Sequence, residues 1–308
     1  MAEALFPAND NSSNYIGRFA PSPTGPLHFG SLLAALASFL DARANNGKWL
    51  LRMEDLDPPR EPPGTDEIIL NQLQDLGFDW DGEVLYQSTR LDAYEAALDQ
   101  LNSKNLCFRC DCTRPRIKAL GSVYDGHCRE RNLDGTTKSA IRLRVDNSLI
   151  QFEDQIQGHY SQQLNDDVGD FILQRKDGLF AYQLAVVADD AFQDINCIVR
   201  GYDLLDSTPR QIYIQRLLGF PTPRYAHIPV ATNDLGQKLS KQHFAEAVDT
   251  SSASEQLLLA LQFLNQDPPA SLKGGSLHTI LEWAVEAWDI QAVPKLASIP
   301  ESELYSGN

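Results

Sequence analysis

The stretch Arg18-Phe-Ala-Pro-Ser-Pro-Thr-Gly-Pro-Leu-His28-Phe-Gly-Ser31 links an apolar strand to a long helix, and the fold is read outward from it. Tyr15 to Phe19 is strand-like. The prolines and glycines that follow cannot prolong a strand and mark a tight connection. From Ser31 on, Leu32, Leu33, Leu36, Phe39 and Leu40 recur at helical spacing, so a helix begins close to His28. A strand, a tight turn and a helix start leave backbone N–H groups at a positive dipole end, which suits a phosphate.

Phe-Ala-Pro-Ser-Pro-Thr-Gly-x-Leu-His-x-Gly closely resembles the first ATP-binding signature of the class I glutamyl-tRNA synthetases. Ser31 stands where the class-wide motif ends in histidine, which leaves His28 as the signature's only imidazole to meet a triphosphate. The resemblance also sets Gly30 against ATP and Phe19, Ala20, Pro21 and Ser22 along a glutamate pocket. Arg18 is the partner expected for a substrate carboxylate, since a guanidinium grips both oxygens.

Lys48 to Met53 reads as a second strand and delivers Arg52-Met-Glu54-Asp55-Leu-Asp57. Carboxylates at the end of an apolar strand lie where α/β folds place ligands. The string is similar to the glutamyl synthetase pattern, in which the Glu54 position receives the substrate's amino group. Thr65 is expected to cap a helix carrying Ile68, Ile69, Leu73 and Leu76. Ser88 precedes another with Leu91, Tyr94, Leu98 and Leu101 on one face.

Four of the five cysteines, Cys107, Cys110, Cys112 and Cys128, fall close together, and Cys197 stands far off. In a cytosolic chain they would stay reduced, so a metal is favoured over disulfides. Spacing alone permits a site of four thiolates. The family resemblance instead implies one structural zinc on Cys110, Cys112, Tyr124 and Cys128. Because tyrosine is an unusual zinc ligand, His127 and Cys107 stay open as the fourth.

Ile141 to Val145, Asp170 to Arg175 and Ile195 to Arg200 read as strands, while the polar stretch between the first two carries no clear assignment. Pro209 marks a helix start after Ser207 or Thr208. Tyr182 and Arg200 match the family's substrate-binding tyrosine and arginine. Gly236-Gln-Lys238-Leu-Ser240-Lys241 resembles the second class I signature loop, in its Lys-Leu-Ser-Lys form. Lys238, Ser240 and Lys241 would close over ATP, and Lys241, with His28, would offset charge growing on the leaving pyrophosphate. The order and separation of these matches, from Tyr15 to Ala247, make them specific together.

The chain has 308 residues and a formal net charge of −16. That charge disfavours contact with nucleic acid, but the stretch Arg109 to Arg144 is locally basic, with Arg114, Lys118, Arg129, Arg131 and Lys138 among its cations. A run of apolar residues long enough to span a membrane is absent, and Met1 to Asn14 carries no secretory pattern. A cytoplasmic monomer with no membrane contact is the expectation.

These readings imply an α/β fold: a class I synthetase Rossmann-like doubly wound parallel sheet with a zinc-bearing insertion and a small helical C-terminal extension. The expected divisions are a disordered tail (1–14), the first half of the catalytic domain (15–109), the insertion (110–145), the second half (146–225), and the loop with a short helical extension (226–308). Fewer than seventy residues follow Lys241, so no anticodon-binding domain is expected. The resemblance narrows to the glutamyl-Q tRNA(Asp) synthetases. It implies that ATP with Mg²⁺ activates glutamate to glutamyl-adenylate without tRNA, and that glutamate then passes to queuosine in the tRNA(Asp) anticodon. A truncated glutamyl-tRNA synthetase acting on a tRNA 3′ end, or a non-catalytic zinc-stabilised RNA-binding module, are the alternatives.

Overall fold

The computed structural model describes residues 15–121, 123–135, 137–233 and 247–300. The first strand, β1 (Ile16–Phe19), leads to α1 (Phe29–Ala44), and β2 (Lys48–Met53) returns parallel to β1, with Ile16 opposite Lys48 and Phe19 opposite Leu51. Then come α2 (Thr65–Asp75), β3 (Leu85–Tyr86), which pairs parallel to β2, and α3 (Leu91–Ser103). Thr65 does not cap α2. Gly64 takes the cap position at φ 78°, a left-handed conformation open to glycine, and the Thr65 hydroxyl donates to the Pro62 carbonyl at 2.7 Å.

Next are β4 (Cys107–Cys110), α4 (Arg114–Ala119) and β5 (Ala140–Leu143). The polar stretch that resists assignment is a hairpin of β6 (Leu149–Asp154) and β7 (Gly158–Gln163), followed by α5 (Leu164–Asp167) and β8 (Ile172–Gln174). Ile150, Phe152 and Asp154 alternate inward along β6, the period-2 signature of a half-buried strand. Its third inward position is a charge, which hides the pattern in sequence. β4, β5 and β8 form a separate antiparallel sheet with β5 in the middle.

The remainder is α6 (Tyr182–Phe192), β9 (Cys197–Gly201), α7 (Thr208–Leu218), β10 (Arg224–Ile228), β11 (Val230–Thr232), α8 (Ala253–Phe263), α9 (Leu277–Ala287) and β12 (Ser298–Pro300). β10 lies between β9 and β6 and is parallel to both. β9 comes alongside β1, where Asn196 N–H donates to the Ile16 carbonyl at 3.1 Å and accepts Ile16 N–H on its side chain at 2.9 Å. From β1 the chain winds one way through α1 to β2, and from β9 it winds the other through α7 to β10. Ligands of doubly wound sheets bind at that reversal, outside the strands' carboxyl ends.

Two apolar cores cover the strands. One gathers α1, Trp49 and Leu51 of β2, and α8 and α9, so Leu257, Leu261, Ile280 and Leu281 share a core with Leu36. The C-terminal helices therefore pack directly on α1, and Trp288 donates from Nε1 to Asp41 at 3.0 Å. The other core gathers α3, α6 and α7. Among the described residues no helix is long and apolar enough to cross a membrane.

Candidate active site

The ends of β1, β2 and β9 and one face of α6 bring charged side chains together at the reversal. Tyr182, Asp189 and Asp190 are seven and eight residues apart on α6, which puts them on one helix face. Arg18 of β1 is buried, and its Nε and Nη2 donate to the two oxygens of Asp190 at 3.1 and 3.2 Å. Arg52 of β2, also buried, donates from Nη2 to the same Asp190 at 2.7 Å and from Nη1 to Gln193 at 2.8 Å. Two arginines around one carboxylate hold Asp190 below the usual carboxylate range against the upward push of burial. Asp189 next to it takes Arg90 at 2.6 Å, the Tyr94 hydroxyl at 2.7 Å and Gln87 at 2.8 Å.

Glu54, just beyond β2, lies 3.7 Å from Arg52. Its N–H donates to the Pro21 carbonyl at 3.0 Å, which ties the carboxylate loop to the signature turn. Burial pushes its carboxyl up to about 7, against the opposing pull of Arg52 and Arg18. Phe19 turns inward and stacks on Trp49, so its side chain belongs to the core. Ala20 and Pro21 are partly exposed and Ser22 is exposed.

Arg200 at the end of β9 is buried. Its Nη1 reaches the Tyr182 hydroxyl at 3.5 Å and its Nη2 donates to Thr208 Oγ1 at 2.8 Å. Its Nε donates to His227 Nε2 at 3.0 Å, and His227 Nδ1 meets Asp154 Oδ2 at 2.5 Å. Burial pushes His227 down to about 4 even though Asp154 favours its charged form. Burial likewise raises the Tyr182 hydroxyl, with Arg200, Glu54, Arg18 and Asp190 as its charged neighbours.

His28 occupies the cap of α1, where Nδ1 accepts the Ser31 N–H at 3.3 Å. Accepting there leaves the ring proton of a neutral imidazole on Nε2, a donor suited to a phosphate oxygen. Gly30 is in the first turn of α1. Lys238, Ser240 and Lys241 lie outside the described residues, as does 1–14. The chain resumes at Ala247, which bridges to His28, and Val248 N–H donates to the Leu27 carbonyl at 2.8 Å. Ala247 and Val248 thus lie directly beside the signature histidine.

A third, small cluster sits apart, around Cys110, Cys112, Tyr124 and Cys128. Cys112 and Cys128 Sγ are 3.5 Å apart, and the Tyr124 oxygen is 3.5 Å from Cys110 Sγ and 3.6 Å from Cys112 Sγ. Ligand–ligand edges of about 3.5–3.8 Å are what a tetrahedral ion with bonds of about 2.3 Å to sulfur requires. The three thiols form a group able to hold a metal ion, and the tyrosine oxygen completes four donors. Burial raises the Cys110 thiol, but hydrogen bonds from Tyr124 and Arg142 outweigh it and bring it down to about 7. Gly169 allows the close packing of this loop: at φ 67°, a Cβ there would stand 2.7 Å from the Tyr124 carbonyl oxygen. The other two open candidates are elsewhere. His127 is exposed, and Cys107 is buried in the core with α3 and α6, its thiol pushed up to about 12 by burial. The alternation of β4 explains this, since Cys107 and Cys110, three residues apart, point to opposite faces.

Asp190, Asp154 and His227 carry no role in the sequence reading. The signal for the first was two consecutive aspartates within an otherwise apolar helix. His227 has only a polar residue in an apolar strand as its mark, and Asp154 has none.

The family model for the catalytic domain of class I tRNA synthetases (E and Q) matches residues 16–266. The chain is 52% identical over 294 residues to a glutamyl-Q tRNA(Asp) synthetase of Pseudomonas fluorescens, covering 95% of this chain and 98% of that protein. It is also 52% identical over 296 residues to one of Dechloromonas aromatica, covering 94% and 98%. The glutamate-tRNA synthetase of Elizabethkingia anophelis superposes with a TM-score of 0.78 at 23% identity, over 95% of this chain and 69% of that one, a likeness of fold. The sheet reversal, the matched domain and these identities together make this chain a ligase of the class I tRNA synthetase type and a member of the glutamyl-Q tRNA(Asp) synthetase family.

Proposed function

We propose that the protein activates L-glutamate with ATP and transfers it to the queuosine base of tRNA(Asp), a reading supported by its relatives' name, glutamyl-Q tRNA(Asp) synthetase. One observation carries the activation step: Arg200, Tyr182, Glu54 and Arg18 lie together as charged and polar neighbours in one pocket. Glu54 receives the substrate ammonium, and Arg200 with Tyr182 receives the side-chain carboxylate, which selects glutamate over glutamine by charge. An α-carboxylate oxygen then attacks the α-phosphorus of ATP, the bond to the bridging oxygen breaks, and pyrophosphate leaves. This step needs position and charge stabilisation more than a base. The lysines at 238 and 241 supply the charge, His28 donates from Nε2 to a phosphate oxygen, and Mg²⁺ accompanies the nucleotide. In the second step a cyclopentene-diol hydroxyl of queuosine attacks the acyl carbon. AMP leaves with the pair of electrons, and the hydroxyl proton passes to its phosphate.

The RNA side falls on the insertion. Arg129, Arg131, Arg116 and Arg144 are spent on Asp170, Asp111, Asp125 and Glu130. Arg114, Lys118 and Lys138 instead line a cavity of about 620 Å³ that also touches Cys110, Cys112, Arg142, Arg175, Lys176 and Asp177. Single-stranded loops with splayed bases are held through such phosphate contacts. A structural zinc on Cys110, Cys112, Tyr124 and Cys128 would pin this loop-rich wall.

The test has two parts. ATP–pyrophosphate exchange should proceed with glutamate alone and without tRNA. Labelled glutamate should load tRNA(Asp) only when it carries queuosine, and the label should survive removal of the 3′ end. Label that leaves with the 3′ terminus would instead make the protein a 3′-end acylating enzyme.

A further inference from the structure

Asp154, His227 and Arg200 belong to three adjacent strands, β6, β10 and β9, and each meets the next through a side-chain hydrogen bond. Arg200 Nε carries a hydrogen and can only donate, so His227 Nε2 must accept it. The ring proton is then on Nδ1, where it is donated to Asp154. Asp154 is itself fixed, because its Oδ1 accepts the N–H groups of Ile156 (3.1 Å), Gln157 (2.9 Å) and His227 (3.1 Å). All three side chains are nearly or wholly buried. The pocket-facing work of Arg200 falls to Nη1, at 3.5 Å from the Tyr182 hydroxyl.

We propose that Asp154 and His227 are positioning residues for glutamate recognition: Asp154 fixes the His227 tautomer, and His227 fixes the rotation of the Arg200 guanidinium. This rests on the reading of Arg200 as the substrate's carboxylate ligand. With Nε on His227 and Nη2 on Thr208, Nη1 is the nitrogen left to meet a carboxylate, and the plane of the guanidinium sets the direction of its N–H groups. Rotation of that plane would turn Nη1 away from the carboxylate. A buried polar chain of this kind is retained only if every member is satisfied, and a positively charged ring would set a second donor against Arg200.

Asp154→Asn isolates the effect. With its oxygen kept on the three backbone N–H groups, the new amide donates to His227 Nδ1. The ring proton must move to Nε2, where it faces Arg200 Nε–H, donor against donor. In ATP–pyrophosphate exchange by the full chain, glutamate KM should rise about tenfold or more, the loss of one hydrogen bond to a charged group, while ATP KM holds. His227→Gln, which keeps an acceptor for Arg200, should stay within about threefold of wild type, and His227→Leu, which removes it, should not. Arg200→Ala separates the two layers: an unchanged glutamate KM there overturns the role of Arg200 itself. If Arg200→Ala raises KM while Asp154→Asn leaves it unchanged, the relay is wrong. Equal rises in both KM values, tracking lost thermal stability, also overturn it. Should Asp154→Asn fail to fold, the Gln and Leu variants of His227 decide.

Discussion

Asp190 grips Arg18 through both of its oxygens and takes Arg52 on one of them as well, so a single buried carboxylate from α6 locks the ends of β1 and β2 together. Removing its charge leaves two buried guanidiniums, with Glu54 and Asp189 as the acids still acting on Arg52. Breaking a buried pair by neutralising one partner costs about 3–5 kcal/mol. Asp190→Asn should lose stability of that order in urea unfolding at pH 7. A loss below about 1 kcal/mol would show that the two arginines find other partners.

Glu54 sets a conflict between stability and binding. Its carboxyl is raised by burial from 4.5 in the unfolded chain to about 7. A group raised on folding contributes stability that is complete below about pH 4.5 and is lost as pH rises through about 7. Glu54→Gln, which cannot ionise, should therefore gain on wild type across that interval and level off above it, by about 3 kcal/mol. If Glu54 receives the substrate ammonium as proposed, capture needs the carboxylate, so wild-type kcat/KM for glutamate should climb through about pH 7, and the variant should lose that limb. Unfolding curves from pH 5 to 8.5 that stay parallel for the two proteins would refute the assignment.

One zinc should co-purify, and Cys110→Ser, Cys112→Ser, Cys128→Ser or Tyr124→Phe should each deplete it in metal analysis. Cys107→Ser should keep the metal, because that thiol lies in the other core. Zinc lost from Cys107→Ser but retained by Tyr124→Phe would reverse the ligand set.

Lys118→Ala with Lys138→Ala should weaken transfer to tRNA(Asp) and flatten its dependence on salt, by about one unit of slope per phosphate contact removed. RNA-free glutamate activation should be untouched, since both lysines stand on the cavity beside the cysteines. Equal loss in both assays would place them in the activation site instead.

The sequence by itself determined the local pieces. The strand-to-helix turn ending at His28, the strand that delivers Glu54, the strand end carrying Arg200 and the cysteine group are set by turn chemistry, helical periodicity and residue type within about twenty positions. These signals need no knowledge of the fold. Tertiary structure alone decided which pieces meet. Arg18 and Asp190 are 172 residues apart, and Asp154 and His227 are 73 apart. The packing of α6 against the ends of β1 and β2 creates the first contact, and the placing of β10 beside β6 creates the second. The same holds for Cys107, excluded from the cluster by the face of β4 it occupies, and for the basic stretch, which splits into paired arginines and cavity-lining lysines. A buried polar residue looks like any other polar residue in sequence, because burial belongs to the packed sheet and not to the residue.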